Sequence, residues 1–93
     1  MIRMFVKHKV RDYTAWRKVY DEFDSERSRA GVRGHAVYCD VDDPNDVTAW
    51  HDFDDIEAAR ALAGSKELKS AMKSAGVVGA PAIWFVRPAT DSL

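Results

Sequence analysis

The side chains able to do proton chemistry occur in two settings: histidines in phase with apolar strand positions, and polar aromatics at helical spacing. His8, His35 and His51 are the three histidines, and Cys39 is the one cysteine. An imidazole near its ordinary pKa gives or takes a proton at neutral pH, so each is a candidate acid, base or ligand. His8 stands in VKHKVRDYTAW (Val6 to Trp16), in phase with Ile2, Met4, Val6 and Val10. Two readings of it are open. It serves as the catalytic proton donor or acceptor at the mouth of a pocket between sheet and helix. Alternatively, it is a strand-end residue whose ring bonds a backbone carbonyl or the first helical turn. His35 and His51 fall on adjacent strand-like runs and share the face of His8. The expected hairpin register makes them diagonal neighbours roughly 7–8 Å apart. A pair of imidazoles can grip a polar ligand, or a metal if a third ligand joins. Cys39 is in phase but further along, and no H-x-H or H-E-x-x-H spacing occurs, so no metal site is expected.

Tyr13, Trp16, Tyr20 and Phe23 follow steps of three and four, the mark of one helical face. Most of that stripe is core, yet the polar ends of Tyr and Trp seek partners. A pocket beneath it would be apolar with a few polar groups, which suits a flat aromatic or other hydrophobic small molecule. Tyr13, Trp16, His51 and His35 are its expected lining. Arg27, near the end of the same helix, bonds the C-terminal carbonyls, pairs with Asp24, or binds an acidic ligand. Cys39 has no basic neighbour and reads as a small core residue. DVDDPND has the look of a calcium loop, but Pro44 and Asn45 stand where an oxygen ligand and a glycine are required. It reads as a turn. AGVVGAPA (Ala75 to Ala82) lacks the strand context and lysine of a P-loop and reads as a connector or a flap. No serine belongs to a recognisable triad motif.

The positioning elements follow from periodicity. Met1 to Val10 alternates as a strand, and Asp12 is a good N-cap for a helix from Tyr13 to a stop at Gly31. His35 to Val41 and Val47 to Phe53 alternate again around the DDPND turn. Keeping both apolar sets on one face pairs Val41 with Val47, Cys39 with Ala49, Val37 with His51 and His35 with Phe53. Asp54, with Glu57 as its capping-box partner, starts a second helix. That helix is broken at Gly64 and resumes at Ser65. Ile83 to Val86 is the last strand. The order β-α-β-β-α-β, over a single domain spanning 1–93, predicts an α+β, ferredoxin-like protomer with a four-stranded antiparallel sheet. Helices cover one face only. Phe5, Tyr38 and Trp50 occupy the other, with Trp84 or Phe85 beside them and Tyr38 opposite Trp50. Exposed aromatics of that size imply a homodimer packed sheet to sheet.

With 46% hydrophobic and 31% charged residues the chain is an ordinary globular one, not a disordered one. The net charge of −1, with both signs interspersed, argues against nucleic acid or a membrane surface as partner. Arg3, Lys7 and Lys9 interrupt any signal-peptide core in MIRMFVKHK, and a lone cysteine forms no internal disulfide. A cytoplasmic location is expected.

VKHKVRDYTAW, followed by Arg27, Gly31, DDPND and AGVVGAP, resembles small bacterial proteins of the dimeric α/β-barrel superfamily. The nearest group is the antibiotic-biosynthesis-monooxygenase type, some of which are labelled cyclases. The resemblance implies a ferredoxin-like protomer whose sheet pairs with a second copy to form a barrel. It implies an enzyme of the monooxygenase or cyclase-like kind, acting without a cofactor on an aromatic or polyketide-like compound. The superfamily also contains haem-degrading enzymes, isomerases and proteins without known chemistry, so a binding module and a haem protein are alternatives. Oxygenases of this group use an asparagine with a tryptophan and tyrosines. The only asparagine here is Asn45, in the expected turn, so that part of the pattern has no counterpart. His8, Tyr13, Trp16 and Arg27 are the positions that carry over.

Overall fold

The structure is a computed structural model and describes residues 1–90. In chain order it contains β1 (Ile2–Val10), α1 (Tyr13–Glu22), α2 (Asp24–Arg29), β2 (Gly34–Cys39), β3 (Asp46–Phe53), α3 (Ile56–Ala63), α4 (Lys66–Ser74) and β4 (Val77–Val86). The strands form one antiparallel sheet in the order β2-β3-β1-β4. This is the ferredoxin-like α+β arrangement, with both crossover helices broken in two. No helix is long and apolar enough to cross a membrane.

Strict alternation in β1 sends Met4, Val6, His8 and Val10 under the helices, all buried. Met4 and Val6 pack with Phe53, Ala59 and Leu62, while Val10 joins Trp16, Tyr20, Val47 and Ala75. His8 lies between these two groups in the strand. Asp12 caps α1 by accepting from the Ala15 amide at 3.0 Å, as its spacing predicts.

Five expectations need correction. The first helix breaks at Phe23, whose amide reaches back to the Val19 and Tyr20 carbonyls. The Arg27 guanidinium takes the Tyr20 carbonyl at 2.7 Å, and winding resumes when the Arg27 amide donates to Phe23. The β2–β3 register is shifted by two residues: Cys39 faces Val47, Val37 faces Ala49, and His35 faces His51. Asp40 and Asp43 accept from the amides of Asp42 and Asn45, so local side-chain turns consume two more residues. Val41 therefore lies in the loop, 97% exposed, and Tyr38 faces Thr48 rather than Trp50. Asp55, not Asp54, caps α3, accepting from the Ala58 amide at 2.8 Å. Glu57 is then one residue out of place for a capping box. Cys39 is exposed, at the end of an edge strand. Finally, AGVVGAPA belongs largely to β4. Its register against β1 shifts between Lys7 and Lys9, so Gly79, Ala80 and Pro81 crowd opposite His8. Gly79 has φ +74, and the missing N–H of Pro81 is tolerated on an edge strand.

The face without helices carries Phe5 stacked on Trp84 at 5.3 Å, and Arg3 over Trp50 at 3.8 Å with its guanidinium paired to Asp52. Phe85 faces the helices, pairing with Met4. The capping assignment has a direct check in urea unfolding. Asp55→Ala should cost about 1 kcal/mol, whereas Asp54→Ala, losing only an exposed contact to Arg33, should cost no more than about 0.5 kcal/mol.

Candidate functional site

A narrow cavity of about 50 Å³ lies between the sheet and the helices. Its floor is Met4, Val6 and His8 from β1 with Ala49 and His51 from β3. In the sheet, His8 pairs with Val47 and His51 with Met4, so the two imidazoles flank the Val6–Ala49 pair from opposite ends. The roof comes from Trp16, Tyr20, Phe23 and Arg27, and the side wall from Leu68 and Met72 on α4. No residue of α4 is fully buried, which makes it the least anchored wall.

His8 is 7% exposed, and neither ring nitrogen has a hydrogen-bond partner among the described residues. Its ring stands edge-on to Trp16 at 5.7 Å. The strand-end reading, with a bond to a carbonyl or the helix start, is therefore overturned. The α1 start is satisfied by Asp12 and by Asn45, whose Oδ1 accepts from the Tyr13 amide at 2.9 Å. Asn45 is thus a helix-anchoring residue away from the cavity. Burial pushes the His8 pKa down, so the ring is neutral at pH 7.

His51 is buried, with Nδ1 unpartnered and Nε2 3.3 Å from the Tyr20 hydroxyl. Burial, then the Arg27 cation, then His35 push its pKa down to about 4. His35 is directly opposite rather than diagonal, its ring stacked on His51 at 6.0 Å. It is outside the cavity, and its Nδ1 lies 2.8 Å from the same Tyr20 hydroxyl. Burial, reinforced by Arg27, lowers its pKa as well.

Arg27 is 3% exposed, in the cavity roof. It donates to the Tyr20 carbonyl and, at 3.3 Å, to Asp24, and its guanidinium sits 3.9 Å from the Tyr20 ring centroid. Its Nε has no partner among the described residues. Tyr13 is half-buried, stacked on Trp16 and outside the cavity. The structure thus brings His8, Trp16, His51 and Arg27 to one cavity and leaves Tyr13 and His35 beyond it.

Tyr20 is the site residue that sequence reasoning undervalued. Its helical spacing marked it as core, and its hydroxyl required a partner, but only the two-residue register shift puts both histidines within its reach. Among the described residues, no group of three His, Cys, Asp or Glu side chains is placed to hold a metal ion.

The buried neutral imidazoles make stability pH-dependent. The unfolded chain takes up a proton on each histidine near pH 6.5, whereas folded His51 resists until about pH 4. Stability is full above pH 6.5 and falls as pH drops, with His51 alone worth on the order of 3 kcal/mol by pH 4. Urea midpoints should fall between pH 7 and 4.5 in the native chain and fall less in His51→Gln. Equal slopes in the two proteins would contradict this assignment.

No protein-family model and no curated protein sequence matches the chain. Solved structures do. A Bordetella bronchiseptica protein of the antibiotic biosynthesis monooxygenase type superposes with TM-score 0.80 at 14% identity, covering 94% of this chain and 95% of that one. SnoaB, a cofactor-independent oxygenase from Streptomyces nogalater, superposes with TM-score 0.73 at 13% identity, covering 97% and 96%. A conserved protein from Methanosarcina mazei Go1 gives 0.73 at 18%, covering 92% and 90%. The chain therefore has the ferredoxin-like fold shared by structures of the antibiotic-biosynthesis-monooxygenase type.

Proposed function

We propose that the cavity binds an aromatic or polyketide-like small molecule and that the protein oxidises it in the manner of a cofactor-independent oxygenase. The observation that carries this reading is the pair of buried, neutral imidazoles, His8 and His51, with unpartnered nitrogens on an otherwise apolar floor. An unsatisfied buried polar atom costs about 1–3 kcal/mol, which a ligand's polar groups at each end would recover. The likeness in fold to SnoaB supports the reaction class. An acidic, anthrone-like ligand loses a ring proton to a neutral imidazole. Dioxygen then takes its electrons. One oxygen atom becomes the new ring carbonyl and the other leaves as water, so the balance requires no further reductant.

A tricyclic ligand needs more room than 50 Å³, since small-molecule sites usually measure about 300–1,000 Å³. The side wall would supply it by moving outward: Leu68 and Met72 are only partly buried, on α4, which has no fully buried residue. The small resting volume is the one observation that favours a binding module without chemistry. A haem protein has less support, because His8 lies deep beneath Trp16.

Oxygen uptake with an anthrone separates these readings. The native chain should consume oxygen, and His8→Ala, which removes the polar contact to one end of the ligand, should lose at least about tenfold with its fold intact. Binding seen as quenched tryptophan fluorescence, without oxygen uptake, would establish the binding module instead. Neither binding nor uptake would end the proposal.

The functional unit in this reading is a twofold dimer through the open sheet face. Support comes from Tyr38 and Trp84, 57% and 40% exposed, beside Phe5 and Trp50. Light scattering at micromolar concentration should give twice the chain mass, and Trp84→Glu should give the monomer. A monomeric native chain would remove this part.

A further inference from the structure

Among the described residues His8 has no hydrogen-bonded route by which a proton could leave the cavity, because neither of its nitrogens has a partner there. His51 has such a route. Its Nε2 is 3.3 Å from the Tyr20 hydroxyl and that hydroxyl is 2.8 Å from Nδ1 of His35, the last hydrogen bond of the route; Nε2 of His35 lies 3.7 Å from Oδ1 of Asp24, too far for a hydrogen bond. The line starts at a buried cavity wall and ends at a side chain 33% exposed beside a carboxylate that is 67% exposed. A hydroxyl carries one proton, so Tyr20 donates to one imidazole and accepts from the other. When it donates to His35, His51 must donate from Nε2, which leaves Nδ1, the unpartnered nitrogen, as a bare acceptor.

We propose that His51, Tyr20 and His35 form a proton conduit joining the cavity to solvent, with His51 as its inner and His35 as its outer terminus. The inference rests on the reading that chemistry in the cavity removes a proton from the ligand. The ligand's C–H bond breaks and its proton goes to Nδ1 of His51. The Nε2 proton of His51 passes to the Tyr20 oxygen as the Tyr20 proton passes to Nδ1 of His35. The Nε2 proton of His35 leaves to water. One proton enters, one departs, and no charge stays on the conduit. The conduit is then in its mirror setting. A proton carried inward by the reverse path, for the oxygen atom that leaves as water, restores the first.

The surrounding charges favour passage over storage. Burial and the Arg27 cation disfavour an imidazolium at either histidine. Burial also keeps the Tyr20 phenol protonated, so the hydroxyl acts as a relay and not as a fixed anion.

The test reads proton movement without any substrate. In nitrogen-15 NMR at pH 7, the His51 ring N–H should exchange with water quickly despite its burial. Tyr20→Phe keeps the ring and removes the relay, and should slow that exchange at least about tenfold with backbone amide protection unchanged. His35→Gln keeps a hydrogen-bonding partner for Tyr20 but cannot pass a proton on, and should slow it likewise; it serves if Tyr20→Phe fails to fold. Unchanged exchange in a folded variant would overturn the conduit. Slowed exchange without oxygen uptake on an anthrone would leave the conduit standing and remove the oxygenase reading. Uptake with unaltered exchange would do the reverse.

Discussion

The Tyr20 side chain ties the first helix to the sheet, and the rest of the site depends on it. Its hydroxyl reaches His35 on β2 and His51 on β3, its carbonyl accepts from Arg27, and its ring stacks on Trp16 at 4.9 Å. These contacts set the height of α1 above the sheet and therefore the depth of the cavity. They also explain the break at Phe23. A continuous helix would compete with the guanidinium for the Tyr20 carbonyl. Breaking there lets α2 fold Arg27 back over the ring, and a buried cation is acquired at the cavity roof.

That cation and the two buried imidazoles have opposite requirements. A guanidinium cannot shed its proton, so it needs acceptors, and it has one carbonyl and one exposed carboxylate. An imidazole can shed its proton and does, which lets His8 and His51 be buried without a charge partner. The result is a cavity whose wall is apolar in area but basic in chemistry. Natural interiors leave few buried polar atoms unpaired, and among the described residues four of them, on His8, Arg27 and His51, belong to cavity-lining residues. Concentration of the orphans in one place is what distinguishes a site from incidental imperfect packing.

Much of this was legible in the sequence because period-two alternation fixes faces. Met4, Val6 and His8 share the inner face by parity alone, and Phe5, Tyr38 and Trp50 share the outer one, whereas the choice between Trp84 and Phe85 came only from the β1–β4 pairing. A two-residue shift preserves parity, so the faces survived the error in hairpin register. The partnerships did not survive it. Whether His35 is diagonal to His51 or directly opposite depends on how many residues the turn consumes, and the Asp40 and Asp43 side chains decide that locally. The first half of β4 was hidden for a different reason. Gly79 and Pro81 are strand breakers in isolation and are accommodated only by an edge position with an irregular register. Asn45 shows the limit of reading roles from residue type: its amide oxygen anchors α1 to the hairpin loop, outside the cavity lining.

The central claim is that the cavity between His8 and His51 opens to an aromatic ligand by displacement of α4. NMR titration with a hydroxylated tricyclic aromatic, following the histidine rings and the methionine methyls, tests it directly. The account predicts shifts at His8, His51, Met4 and Met72 that saturate together, with loss of amide protection in Lys66–Ser74. Shifts confined to Phe5, Trp50 and Trp84 on the open sheet face, with the two buried imidazoles unmoved, would contradict it.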